Sequence, residues 1–205
     1  MVNFFDDDRG VPSGPCRMLM NRQGDFIREM VSRTEETGKE YIANIVEITG
    51  NVGHTDMMEG TEESITSDVS ARVNMDAISI ASEIKDTPGG SITIDYKTHQ
   101  VHTHPGGHTG LSLADMKSFA DNLVTDRAPH DSELVATMTS DGILLGGVYA
   151  PNKLDEDSIA EIQSSLSLVN TERMMLTHEE KKMDLLTAFE NAGLSFCSVT
   201  FPQRE

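Results

Sequence analysis

A run that alternates like a strand, Ser91 to Val101, passes without a break into His102-Thr103-His104-Pro105, and no other stretch limits the fold as much. Ile92, Ile94, Tyr96 and Thr98 recur at every second position, the period of a half-buried strand. Residues two apart on a strand share a face, so His102 and His104 present two imidazoles side by side while Thr103 looks away. Pro105 cannot donate to a sheet ladder and ends the strand, and Gly106, Gly107 and Gly110 let the chain turn back. Ser112 then stands at a helix N-cap, with Asp115 in the first turn of a helix running to about Val124. A third ligand thus arrives from a separate element. Two histidines and one carboxylate, with a fourth position left for water, are what a catalytic zinc ion asks of a protein.

Each half of this stretch has a plainer reading. Ser-x-x-Asp before an apolar run is commonly a helix cap, and a His-x-His on a strand is commonly surface. Their joint occurrence at this separation points instead to a metal. His102, His104, Pro105, Ser112 and Asp115 reproduce without a gap the His-x-His-Pro, six residues, Ser-x-x-Asp pattern, and here the chain resembles the JAMM (MPN+) metalloproteases. The resemblance implies that His102, His104 and Asp115 hold zinc, that Ser112 supports the transition state, and that an earlier strand carries an active glutamate. That position falls on Glu40, at the entrance of a predicted strand from Glu40 to Ile48, with Glu47 on the opposite face as the competing residue. The family's usual glycine a few residues on is replaced here by Ala43 or Asn44. The resemblance spans Ser91 to Leu123 most fully, extends over Cys16 to Tyr149, and fades after Pro151.

At 205 residues the chain has the length of one domain with a substantial core. Residues 1–15, rich in Asp, Gly and Pro, read as an arm, and 16–205 as the domain. No run approaches a membrane span and the start, MVNFFDDDRG, lacks a signal-peptide core, so a soluble, cytoplasmic protein is expected. Cys16 and Cys197 lie far apart without metal-like spacing, and are expected to stay reduced. The net charge of −18 repels phosphate backbones, which argues against nucleic acid as a partner. Its even spread, from Asp6-Asp7-Asp8 to Glu179-Glu180, suggests adaptation to a high-salt, halophilic cytoplasm.

Along the chain, Cys16 to Met20 reads as a first strand, and Asp25 as the cap of a helix burying Phe26, Ile27, Met30, Val31 and Thr34 and closed by Gly38. Asn51 to Glu63 is polar and reads as loop. A strand over Val69 to Ala77 and a helix from Asp76 to about Lys85 follow. His99 reads as an exposed strand residue or a donor orienting a ligand, His108 as an exposed loop residue, and His54, His130 and His178 carry no pattern. Strands at Leu134 to Met138 and Ile143 to Tyr149 flank the turn Ser140-Asp141-Gly142, and Gly146-Gly147 marks a bulge or a close backbone approach. Helices over Asp157 to Val169 and from the Thr177-x-x-Glu180 capping box precede a last strand, Leu194 to Phe201. The interleaving predicts an α/β fold, a mixed sheet flanked by helices on both sides, which suits the JAMM/MPN fold, itself similar to that of the cytidine deaminases.

By resemblance, the expected activity is zinc-dependent cleavage of the isopeptide bond joining a substrate lysine to the C-terminal Gly-Gly of a ubiquitin-like protein. A zinc peptidase acting on ordinary peptides, as in cell-wall or phage-tail processing, and a non-catalytic binding scaffold remain alternatives.

Overall fold

The computed structural model describes residues 14–48, 51–61, 96–125, 130–170 and 176–202. The expected strand over Val69 to Ala77, the helix after it and residues 1–13 of the arm lie outside the described residues.

Helix α1 runs Pro15–Thr37, so the first element is helical where a strand was expected at Cys16 to Met20. Cys16, Leu19 and Met20 are buried at helical spacing, and Pro15 occupies the first turn, where its missing N–H costs nothing. A run of five residues is too short to separate this pattern from a strand. Asp25 is not a cap but lies within the helix, ion-paired to Arg28 at 2.8 Å, and the kink falls at Gln23. The expected face is correct: Ile27, Met30, Val31 and Thr34 are buried and Phe26 is partly so, and the helix closes at Gly38.

Strand β1 (Tyr41–Ile48) pairs antiparallel with β2 (Asn51–His54), β3 (Met58–Glu59) and β4 (Tyr96–Thr103). The stretch from Asn51 that reads as loop therefore carries two short edge strands. Edge strands need bury little, so polar composition does not exclude them. Tertiary contacts hold β2, through a Phe26–His54 ring stack at 3.7 Å and a 3.0 Å hydrogen bond from the Gln23 amide to the Val52 carbonyl.

Strand β4 pairs in parallel with β5 (Ser132–Thr139), and a parallel pair needs a crossover, supplied here by helix α2 (Leu113–Thr125). The hairpin to β6 (Gly142–Tyr149) forms as expected, with Gly142 at φ 129° in a conformation other residues rarely adopt. Helices α3 (Glu156–Asn170) and α4 (His178–Asn191) follow, the latter with the full Thr177–Glu180 capping box, and β7 (Ser195–Phe201) completes a sheet of order β2-β1-β4-β5-β6-β7. The β5–β6 ladder is unbroken at Gly147, so this glycine marks close approach rather than a bulge: a Cβ there would lie 2.1 Å from the Glu133 carbonyl oxygen.

Helices cover both faces of the sheet. Leu19, Ile27 and Met30 of α1 pack on Ala43, Ile45, Val101, Leu134 and Ala136. Met116 and Phe119 of α2, Ile162 of α3 and Leu185 and Phe189 of α4 pack with Val135 and Val148 on the other side. This is an α/β architecture of three layers with a mixed sheet in the middle. Cys16 and Cys197 form a disulfide, with Cα atoms 5.9 Å apart, contrary to the reduced state expected. The start of α1 packs on β7, and that docking brings together two cysteines with no sequence proximity. Among the described residues no helix is long and apolar enough to cross a membrane.

Candidate metal centre

The site lies where β4 ends, at the centre of the sheet. Thr103, between the two histidines, points toward α1, where its hydroxyl meets that of Thr34 and accepts the Tyr41 N–H at 2.9 Å. That pins β4 to both β1 and α1. His102 and His104 consequently point to the opposite face, toward α2. Beyond the strand, the His104 backbone stays tied to β5, its N–H donating to the Ala136 carbonyl and its carbonyl accepting from the Thr137 hydroxyl.

The turn through Pro105–Gly107 returns the chain to the N-terminus of α2. There Ser112 and Asp115 cap reciprocally: the Asp115 N–H donates to Ser112 Oγ at 3.1 Å, and the Ser112 N–H donates to Asp115 Oδ2 at 2.6 Å. The helix-cap reading of Ser-x-x-Asp is borne out, and the same cap aims the Asp115 carboxylate at the two histidines.

His102 Nε2 lies 3.2 Å from His104 Nε2 and 3.4 Å from Asp115 Oδ1, and His104 Nε2 lies 3.5 Å from Asp115 Oδ2. A tetrahedral ion with bonds of about 2.0–2.2 Å sets its ligands roughly 3.3–3.6 Å apart, so these three donors match the edges of such a polyhedron. The buried His102–His104–Asp115 cluster can hold a metal ion. Burial alone would strip the proton from His102, but Asp115 and Glu133 outweigh it and hold His102 well above the ordinary imidazole range. Burial likewise opposes ionisation of Asp115, and the two histidines overcome it, keeping this carboxyl well below its usual range. Metal ligands bind in their deprotonated form, so a cation entering here competes with the proton that these carboxylates favour on His102.

Glu40 lies on the same face. The β1–β4 register pairs Ile42 with His102, and two residues further along it sets Glu40 opposite His104, with Glu40 Oε1 3.9 Å from His104 Nε2. Glu47 points to the α1 face, where its Oε2 is 3.7 Å from His99 Nε2. The competing glutamate is therefore remote from the cluster.

His99 is buried rather than exposed, bonded through Nδ1 to Ser132 Oγ at 2.9 Å, and it touches neither ligand because it faces α1. Burial first, then the charges of Lys97 and His130, push its pKa down to about 4. His108 is exposed, as expected.

Two residues near the site escape a reading of the sequence. Glu133 Oε1 accepts from His102 Nδ1 at 2.9 Å, and Glu133 Oε2 lies 3.0 Å from Nε2 of the buried His130. The one local hint is a glutamate directly before the apolar run Leu134-Val135-Ala136.

No family model matches the chain, and no curated protein is similar to it in sequence.

Proposed function

We propose that this chain is a zinc-dependent amide hydrolase of the JAMM (MPN+) type. The observation that carries the reading is the convergence of His102, His104 and Asp115 at tetrahedral spacing, with a glutamate at the entrance of the adjacent strand. Zinc suits two imidazoles and a carboxylate; with three protein ligands it keeps a place for water, lowers that water's pKa to about 7 and polarises a carbonyl.

The chain's own residues supply the rest. Glu40 is too far from His104 for a direct hydrogen bond, yet close enough to reach a water at the same centre. It takes the proton of the attacking water and returns it to the leaving amine, a role worth about 10²–10⁴ in rate. Ser112 Oγ accepts a backbone N–H and keeps its own hydrogen to donate to the developing oxyanion, worth about 10²–10³.

The substrate class follows from the resemblance: the isopeptide bond between a lysine and the Gly-Gly tail of a ubiquitin-like protein. Such a tail, lacking side chains, can lie extended along a strand edge beside the metal. The test is zinc content together with chelator-sensitive cleavage of a ubiquitin-like conjugate, run beside linear peptides. Cleavage of linear peptides alone assigns an ordinary peptidase, and a zinc-free chain inert to both substrates overturns the hydrolase.

A further inference from the structure

We infer that Glu133 is a positioning residue for the metal centre, held in place by His130, and that it selects which nitrogen of His102 faces the ion. The inference rests on the metal reading above and goes beyond its ligand set.

Glu133 sits on β5 beside Gln100 of β4, two residues before Val135, the register partner of His102. Period-two alternation therefore places its carboxylate on the His102 face. It is 3 % exposed, so its oxygens must find partners within the protein rather than in water. Both of its oxygens are engaged by imidazoles, His102 Nδ1 at 2.9 Å and His130 Nε2 at 3.0 Å. Each oxygen thus has one ring nitrogen within hydrogen-bond distance, and His102 Nδ1 is turned toward Glu133 and away from His104 and Asp115. With Nδ1 engaged by Glu133, it is Nε2 of His102 that faces His104 and Asp115 and would bind the ion. A partner of this kind orients a ligand and raises its basicity.

Two further contacts hold Glu133 in register. Gly147 of β6 lets the two backbones close where any Cβ would strike the Glu133 carbonyl oxygen. The His130 ring lies 5.4 Å from the ring of Phe119, one helical turn beyond Asp115 on α2. The helix that supplies the third ligand therefore also braces the far end of the chain from His102 through Glu133 to His130.

The test compares zinc affinity, by chelator competition, and the absorption spectrum of the cobalt-substituted protein for the wild type, Glu133→Gln, Glu133→Ala and His130→Phe. Glu133→Gln keeps the shape and removes the charge, and His130→Phe keeps the packing on Phe119 and removes the ring nitrogens. Expected losses of zinc affinity are about tenfold for Glu133→Gln and up to about 100-fold for Glu133→Ala, with altered cobalt bands, and several-fold for His130→Phe. A purely structural role would lower the melting temperature of the metal-free protein and leave affinity and spectrum unchanged. Wild-type affinity and superimposable cobalt bands in Glu133→Gln overturn the inference. A wild-type chain that takes up neither zinc nor cobalt overturns the metal reading itself, before any variant is compared.

Discussion

Glu40 and His104 sit opposite one another across the β1–β4 pair, 3.9 Å apart between carboxylate oxygen and ring nitrogen, although 63 residues intervene in the chain. Sheet register alone brings the acid/base candidate to the face that carries the His102–His104–Asp115 cluster. Glu40→Gln should therefore retain zinc and lose about 10²–10⁴ in turnover, whereas His104→Ala should lose both. Metal analysis beside a single-turnover assay separates the two, and a fully active Glu40→Gln protein would refute the assignment.

Ser112 caps α2, and the proposed mechanism gives its hydroxyl a second duty. Ser112→Ala removes the acceptor for the Asp115 N–H and should lower stability by about 0.5–2 kcal/mol, and it also removes the hydroxyl donor, lowering turnover by about 10²–10³. Ser112→Thr keeps both groups and should restore most of each. Denaturant unfolding of the two variants, paired with their rates, tests the assignment; a rate loss that persists in a fully stable Ser112→Thr protein would contradict it.

His99 makes the fold sensitive to acid. Unfolded, it takes up a proton near pH 6.5, whereas in the folded chain burial delays protonation to about pH 4. Throughout that window the unfolded state binds more protons, so stability falls as the pH drops below about 6.5 and the loss levels off below about 4. The loss totals roughly 3 kcal/mol. Urea unfolding across this range should show a flatter pH dependence for His99→Phe than for the wild type.

The Cys16–Cys197 disulfide closes a loop of almost the whole chain. Its removal should cost about 2–5 kcal/mol, seen as a lower melting temperature of the Cys16→Ser/Cys197→Ser protein and of the wild type under reductant. Zinc affinity should not change, since the bridge joins α1 to β7 and the metal cluster lies on the other face.

A net charge of −18 spread along the chain should make stability salt-dependent. At about 1 M salt the screening length falls to roughly 3 Å, and mutual repulsion among exposed carboxylates fades. Unfolding midpoints should rise from low to molar salt; equal midpoints would remove the proposed high-salt adaptation.

Features written over a few residues were legible without coordinates. The two histidines on one strand face, the Ser112–Asp115 cap, the Ser140-Asp141-Gly142 hairpin and the Thr177–Glu180 capping box each depend on local periodicity or turn chemistry. Local pattern also misleads where it is short: Cys16 to Met20 is helix rather than strand because the core under α1 decides it. The polar segment from Asn51 is strand because β1 offers it a free edge.

By itself, then, the amino-acid order determined most of the alternation of helix and strand and the three candidate ligands, two where β4 ends and one in the first turn of α2, since chain connectivity carries them to one place. Only the tertiary structure decided that Glu40 rather than Glu47 approaches His104, that Glu133 and His130 stand behind His102, and that Cys16 meets Cys197. Each of these depends on which strands become neighbours and in what register. That choice is set by the packing of apolar faces from distant parts of the chain, which no local spacing records.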